Sequence, residues 1–184
     1  DWSSDVCSSD LKEKIIDVNR IYEGKKINVD VLKVKMPNNK EAIREIVDRK
    51  NGVVILAIDD ENNVIVEEQY RNTFKRGIVG LPAGKRDGAE DLLDTAKREL
   101  EEETGYKAES WVSLGEFYPA PAYSNEIVYP FLATGLYLGN IKRDPDEFLN
   151  IIRMPIKEFE IKCMDGTIKD GRTLMTWMKY SSIK

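Results

Sequence analysis

One spacing constrains this chain more than any other. Gly84 is followed after five residues by Glu90, after seven more by Arg98-Glu99-Leu100, then by Glu102-Glu103 and, one residue on, Gly105. A loop rich in glycine therefore runs into a helix crowded with carboxylates. Asp87-Gly88 and Glu90-Asp91 signal its start, with Glu90 and Asp91 expected in the first turn. Leu93, Ala96 and Leu100 recur at spacings of three and four and predict the buried stripe; Gly105 ends the helix where glycine relieves left-handed strain. Residues three and four apart share a helical face, so Glu99, Glu102 and Glu103 project from one side, off the buried stripe. Like charges so close repel, so something positive belongs among them. Hard divalent cations prefer oxygen ligands, and Mg2+ takes one or two carboxylates plus substrate phosphates. A metal site on this helix face is expected.

An acidic run such as Glu101-Glu102-Glu103 is usually no more than a solvated face. The joint spacing argues otherwise. Seven positions at roughly 0.07 usage each recur by chance in about one chain in a million. Local Glu richness raises that about a hundredfold and still leaves coincidence a poor account. Arg98 lies four residues before Glu102 and is expected to order the acidic cluster rather than touch a substrate.

Composition narrows the alternatives. The 184 residues suit one domain with a small extension. No apolar run approaches the roughly 18 residues that span a bilayer, and nothing resembles a signal peptide. The chain has no histidine, which excludes His-based zinc sites and Ser-His-Asp or Cys-His catalysis. Residues 1–11, which repeat Ser-Ser-Asp without periodicity, back-translate to a common sequencing-library adapter read in frame. They are expected to be an assembly artefact and are set aside. Removing Asp1, Asp5 and Asp10 takes the formal charge from -5 to -2, a balance that gives no reason to expect a nucleic-acid partner. Cys163 is then the only cysteine, which fits a reducing cytoplasmic setting.

Taken in order, residues 12–49 read as a small antiparallel β region. Lys26 to Lys35 alternates polar with apolar, Pro37-Asn38-Asn39-Lys40 supplies a turn, and Ala42 to Val47 returns. So small a hairpin is marginal alone and needs the main domain or another subunit; on sequence alone, Tyr22 and Arg44 read as surface residues. Residues 50–184 read as the main domain. Gly52 to Ile58 is a nearly continuous apolar run, predicting a strand covered on both faces. The turn from Asp59 to Asn63 leads into Val64 to Arg71, predicting a hairpin in a central sheet. Arg71 follows that strand and is placed either to face a phosphate bidentately or simply on the surface. Pro82 and Gly84 leave a main-chain carbonyl available to a metal. Trp111 to Tyr118 and Ile127 to Leu138 read as strands, the second interrupted by Pro130, which predicts an edge or a bulge. Lys142 to Glu147 reads as a charged loop, Phe148 to Met154 as a strand, and Pro155 to Met164 and Asp170 to Tyr180 as helices.

The spacing from Gly84 to Gly105 is the signature of the Nudix hydrolases, which the chain resembles from about Tyr22 to its end; Tyr106 stands where the family usually has an aliphatic residue. Leu81-Pro82-Ala83-Gly84, Gln69-Tyr70-Arg71, Phe117-Tyr118-Pro119-Ala120-Pro121 and Gly166 to Leu174 are similar to the ADP-ribose pyrophosphatase branch. Pro121, 15 residues beyond Tyr106, lies close to that branch's marker proline. The resemblance implies an α/β/α sandwich around a mixed sheet, and a homodimer formed by exchange of the N-terminal sheet. It implies Mg2+ as cofactor, two or three ions with Mn2+ as a possible substitute, held by Glu99, Glu103 and the Ala83 carbonyl with Glu102 close by; Arg98 and Glu90 would support them. Tyr22 would stack on adenine, Arg44 would contact the nucleotide across the dimer, and Arg71 and Glu126 would face the substrate. The general base would be an acid of the late loop, Glu147 first and Asp146 second. The implied reaction is hydrolysis of ADP-ribose to AMP and ribose 5-phosphate. The alternatives are another nucleotide sugar or dinucleotide, a non-catalytic ADP-ribose-sensing domain, or a structural Ca2+ site. Gly80 stands where many relatives have Glu, and Ala122 where many have Gly.

Overall fold

A computed structural model describes residues 11–141 and 148–183. The chain divides into two compact units. The first comprises the residues up to Lys50 together with Ala120–Glu126; the second comprises Asn51–Pro119 and Ile127 onward.

The first unit is built on three antiparallel strands, β1 (Lys14–Glu23), β2 (Asn28–Lys35) and β3 (Glu41–Asp48), in the order β1-β2-β3. The turn between β2 and β3 is local chemistry. The Asn38 side chain accepts from the Lys40 N–H at 3.0 Å, and Asn39 takes a left-handed φ of 65°, which asparagine tolerates better than most residues. Strand β1, absent from the sequence reading as a distinct element, is exposed along its whole length.

The second unit is an α/β/α sandwich. Strand β4 (Gly52–Ala57) is buried at every residue, and its alternation divides the interior in two. Val54, Leu56 and Ile58 pack with Val64, Val66, Phe159 and Trp177. Val53, Ile55 and Ala57 pack with Ile65, Ala96, Leu100 and Phe131. Helix α1 (Leu92–Thr104) thus covers one face, while α2 (Ile156–Met164) and α3 (Gly171–Ser181) cover the other. Phe159 and Trp177 meet edge-to-face at 5.3 Å, a favoured aromatic geometry.

The strands between these layers form two sheets rather than one. Strand β5 (Asn63–Arg71) packs its side chains against β4 but forms no ladder with it among the described residues; an isolated Ile58–Val64 bridge lies just past β4, and β5 pairs with β6 (Arg76–Gly80) and β10 (Leu149–Pro155). The expected β4–β5 hairpin in one central sheet is corrected accordingly. The turn itself is well specified: Asp59 accepts from the N–H groups of Glu61 and Asn63 and takes the Arg153 guanidinium on Oδ2 at 2.6 and 2.9 Å. The four-stranded sheet runs β7 (Ala83–Lys85), β4, β9 (Val128–Leu138), β8 (Tyr106–Ser113). It is mixed, because β4 and β9 are parallel while the other pairs are antiparallel.

Pro130 lies inside β9, opposite Val54 of β4 and one residue past the end of the β8 ladder, where Gly115 and Glu116 stand opposite Tyr129 as in a bulge; β9 itself is not an edge strand. Val128 exchanges both main-chain bonds with Phe117, and Pro130 accepts from Leu114 at 2.9 Å. By alternation the missing proline N–H points the same way. Strand β8 ends at Ser113, earlier than the Tyr118 expected, so that N–H position falls where the partner chain leaves the ladder. Among the described residues, no helix is long and apolar enough to cross a membrane.

Candidate active site

Helix α1 is capped at both ends. Asp91, outside the helix rather than in its first turn, accepts from the Leu93 N–H at 2.8 Å. Gly105 turns left-handed at φ 76° and donates to the Glu101 carbonyl, and only glycine does this without strain.

The helix crosses beside β7, an edge strand. Ile55 donates to the Pro82 carbonyl and Arg86 to the Asn51 carbonyl. By antiparallel alternation, Ala83 and Lys85 turn their main-chain groups away from β4. Successive carboxylates and Arg98 meet that edge. The Ala83 N–H donates to Glu103 Oε2 at 3.0 Å. Lys85 accepts from Arg98 Nη2 at 3.2 Å. Between them lies Gly84, where an added Cβ would sit 1.8 Å from the Glu99 carboxyl carbon. Glu103 is 6% exposed, which corrects the expectation that all three carboxylates stand off the buried face: the β7 edge covers this one.

Arg98 lies at the centre of the cluster. Its Nη1 donates to Glu99 and Glu102, each at 2.9 Å, and its Nε and Nη2 reach Glu90 at 3.2 and 3.1 Å. Burial opposes the guanidinium charge, yet the hydrogen bonds to Glu90 and Glu102 and the charge of Glu99 outweigh it and raise its pKa. Arg98 holds Glu90 below its ordinary carboxyl value of 4.5, with a further hydrogen bond from Thr95 Oγ1 at 2.9 Å. The sequence reading missed Thr95. It also missed Thr173, whose hydroxyl accepts from the Leu81 N–H at 2.9 Å and donates to Asp170 at 2.7 Å. The Asp170-x-x-Thr173 capping pattern at the start of α3 is the one local signal that pointed there.

The donor set here is all oxygen, as a hard dication requires, and the Gly84 cradle brings the Glu99 carboxylate against the β7 backbone. Glu99, Glu103 and the outward-facing Ala83 carbonyl would hold such an ion, with Glu102 beside them. No three acidic side chains converge as a ready cage among the described residues: Glu99 and Glu102 turn to Arg98, and Glu103 to Ala83. A dication would compete with Arg98 for the first two.

Arg98→Met tests that balance. Side-chain exposure of 28% tempers the loss, so the expected cost without metal is about 1–2 kcal/mol, or roughly 2–8 °C in Tm. Added Mg2+ should restore more of this in the variant than it adds to wild type. The Glu90 part follows from its lowered pKa. That stabilisation is complete above the ordinary carboxyl value and fades as pH falls through the folded value, so the gap between variant and wild type should narrow in acid. A Tm gap that is unchanged by Mg2+ would contradict the competition.

The remaining sequence-predicted residues are spread more widely. Arg71 ends β5, and no ion pair to it occurs among the described residues. Tyr22 lies on β1, 55% exposed, and Arg44 lies on β3, paired with Glu13. Glu126 is buried at 7% exposure and meets Arg49 Nη1 at 3.2 Å within the first unit. Asp146 and Glu147 lie outside the described residues.

A profile of the NUDIX domain matches residues 48–176. An "ADP-ribose pyrophosphatase" of Bacillus subtilis (strain 168) is 41% identical over 176 residues, 95% of each chain. A "Methanol dehydrogenase activator" of Bacillus methanolicus is 36% identical over 167 residues, 90% of each. A solved structure described as "Crystal structure of ADP compounds hydrolase" superposes with a TM-score of 0.84 over 93% of both chains; at 22% identity that likeness concerns the fold. The helix with its buried edge contacts, the sandwich around it and the profile spanning both lead to one assignment: the chain belongs to the Nudix family of hydrolases.

Proposed function

We propose that this chain is a Mg2+-dependent pyrophosphatase that hydrolyses ADP-ribose to AMP and ribose 5-phosphate. The observation that carries the reading is the packing of Glu99 and Glu103 against Gly84 and Ala83, in a chain 41% identical over 95% of its length to a protein named for this activity. When bound, the divalent ions, two or three in number and replaceable by Mn2+, would neutralise the diphosphate and acidify a water. The chain's own residues do the rest. Glu99 and Glu103 supply ligand oxygens, with Glu102 at their flank and Arg98 and Glu90 fixing their directions. Arg71 holds the diphosphate through its fork of donors. Glu147, or Asp146 beside it, accepts the proton of the attacking water. Glu126 faces the substrate from the loop after Pro121.

Tyr22 and Arg44 belong to this reading through a homodimer, with Tyr22 on the adenine and Arg44 on the nucleotide across the interface. Its support is strand β1, along which Ile15, Val18, Ile21 and Tyr22 are each more than half exposed, an arrangement that a lone sheet in water does not favour. Sedimentation as a monomer at full activity would reject these two roles. The proposed location is cytoplasmic.

A substrate panel tests the function. With Mg2+, kcat/KM for ADP-ribose is expected to exceed that for ADP-glucose, NADH and diadenosine polyphosphates. A different winner would replace the substrate and keep the chemistry. One relative is named for an effect on another enzyme, so the panel also includes a binding measurement. Tight ADP-ribose binding with no AMP released would make the chain a sensing module instead.

A further inference from the structure

Loop Ala120–Glu126 leaves and re-enters the second unit, yet by its contacts it belongs to the first. Its attachment is specific. The Val47 N–H donates to the Tyr123 carbonyl at 2.7 Å, and Val47 and Ser124 form a parallel bridge. The Arg49 N–H donates to Asn125 Oδ1 at 2.8 Å, and Arg49 Nη1 meets Glu126 Oε2 at 3.2 Å.

Asp48 is the joint. Its Oδ1 accepts from Asn125 Nδ2 of the loop at 2.7 Å. Its Oδ2 accepts from Arg20 Nη2 of β1 at 2.9 Å and Asn28 Nδ2 of β2 at 3.2 Å. Arg20 is itself fixed by Asp30 at 2.7 and 2.9 Å. One oxygen thus holds the loop and the other holds the sheet. The Asn125 and Asn28 hydrogen bonds keep the carboxyl below its usual pKa, so this division persists across the neutral range.

We propose that Asp48 is a positioning residue: it sets the loop that presents Glu126 to the substrate, and so makes substrate affinity depend on the N-terminal sheet. This rests on the ADP-ribose reading above. A carboxylate is required because both of its oxygens must accept. In Asp48→Asn the new amide meets donors on one side or the other, so either the loop or the sheet is released. Asn125→Asp fails differently, by setting two carboxylates face to face. The pair exchanged, Asp48→Asn with Asn125→Asp, restores the bond with its polarity reversed. The amide on β3 then donates to the carboxylate on the loop, and its carbonyl oxygen still accepts from Arg20.

The test is steady-state ADP-ribose hydrolysis at saturating Mg2+, with Tm measured alongside. Asp48→Asn, Asn125→Asp and the exposed, easily folded Asn125→Ala are each expected to raise KM about tenfold while kcat changes less than about twofold. The exchanged pair should recover most of the KM. Unchanged KM in Asn125→Ala, or an exchanged pair no better than its single variants, would overturn the clamp while leaving the enzyme reading intact. Wild-type protein without ADP-ribose turnover would overturn both.

Discussion

Glu103→Gln is expected to leave a folded protein that has lost roughly a hundredfold or more of its turnover at saturating Mg2+. The scale follows from metal sites, where changing even an outer partner of a ligand costs about 10–100-fold; a direct ligand costs at least the upper end. The fold should survive because the substitution is nearly isosteric. The Ala83 N–H, which donates to Glu103 Oε2 at 3.0 Å, can donate to the glutamine carbonyl instead. What is lost is a negative charge at a site 6% exposed, beside the carboxylates of Glu99 and Glu102. Removing it relieves repulsion when no metal is bound, so Tm without Mg2+ should be unchanged or higher. The Tm gain on adding Mg2+ should shrink. Near wild-type kcat at saturating Mg2+ would remove Glu103 from the ligand set; a fall in Tm matching the fall in activity would point to a structural role.

How legible this site was depends on the distance over which each feature is determined. Strand β4 and helix α1 are written locally. An apolar run from Gly52 predicts a strand buried on both sides, and a glycine after the last helical turn predicts the φ of 76° at Gly105. The edge that covers Glu103 is not local. Its burial follows from β7 crossing the helix, and nothing in the Leu93, Ala96, Leu100 stripe records that crossing. An irregularity at Pro130 is expected, as an edge or a bulge, but its cause is not local either. Tolerance of the proline depends on where β8 leaves the ladder, a property of the partner strand rather than of β9. Strand β5 parted from β4 because its pairing partner β10 is far downstream, where Leu149 meets Gln69 and Pro155 meets Asn63. The bond between Asp48 and Asn125 spans 77 positions, and neither residue carries a motif. The residues proposed to hold a metal can therefore be picked out locally, since they are packed into one helix, while the contacts that aim them cannot.

Gly84→Ala separates these two levels. The residue lies in β7 without a positive φ, so alanine suits the backbone. The obstacle is the added Cβ, which would fall 1.8 Å from the Glu99 carboxyl carbon and 2.1 Å from both its oxygens. The blocking group is the end of a flexible side chain, so the helix need not move; Glu99 swings away at a cost of about 1 kcal/mol. The variant is expected to fold and to lose roughly a hundredfold in kcat/KM, because the displaced carboxylate no longer reaches the ion. If the glycine acts only through Glu99, the two losses cannot add. Gly84→Ala combined with Glu99→Ala should be no slower than Glu99→Ala alone, since the shortened side chain leaves room for the methyl group. Additive losses would show that the bare Gly84 backbone has its own part in the reaction, such as close approach to the diphosphate. Wild-type activity in the single variant would mean that Glu99 works from a different rotamer, and the ligand set would then have to be redrawn around Glu102 and Glu103.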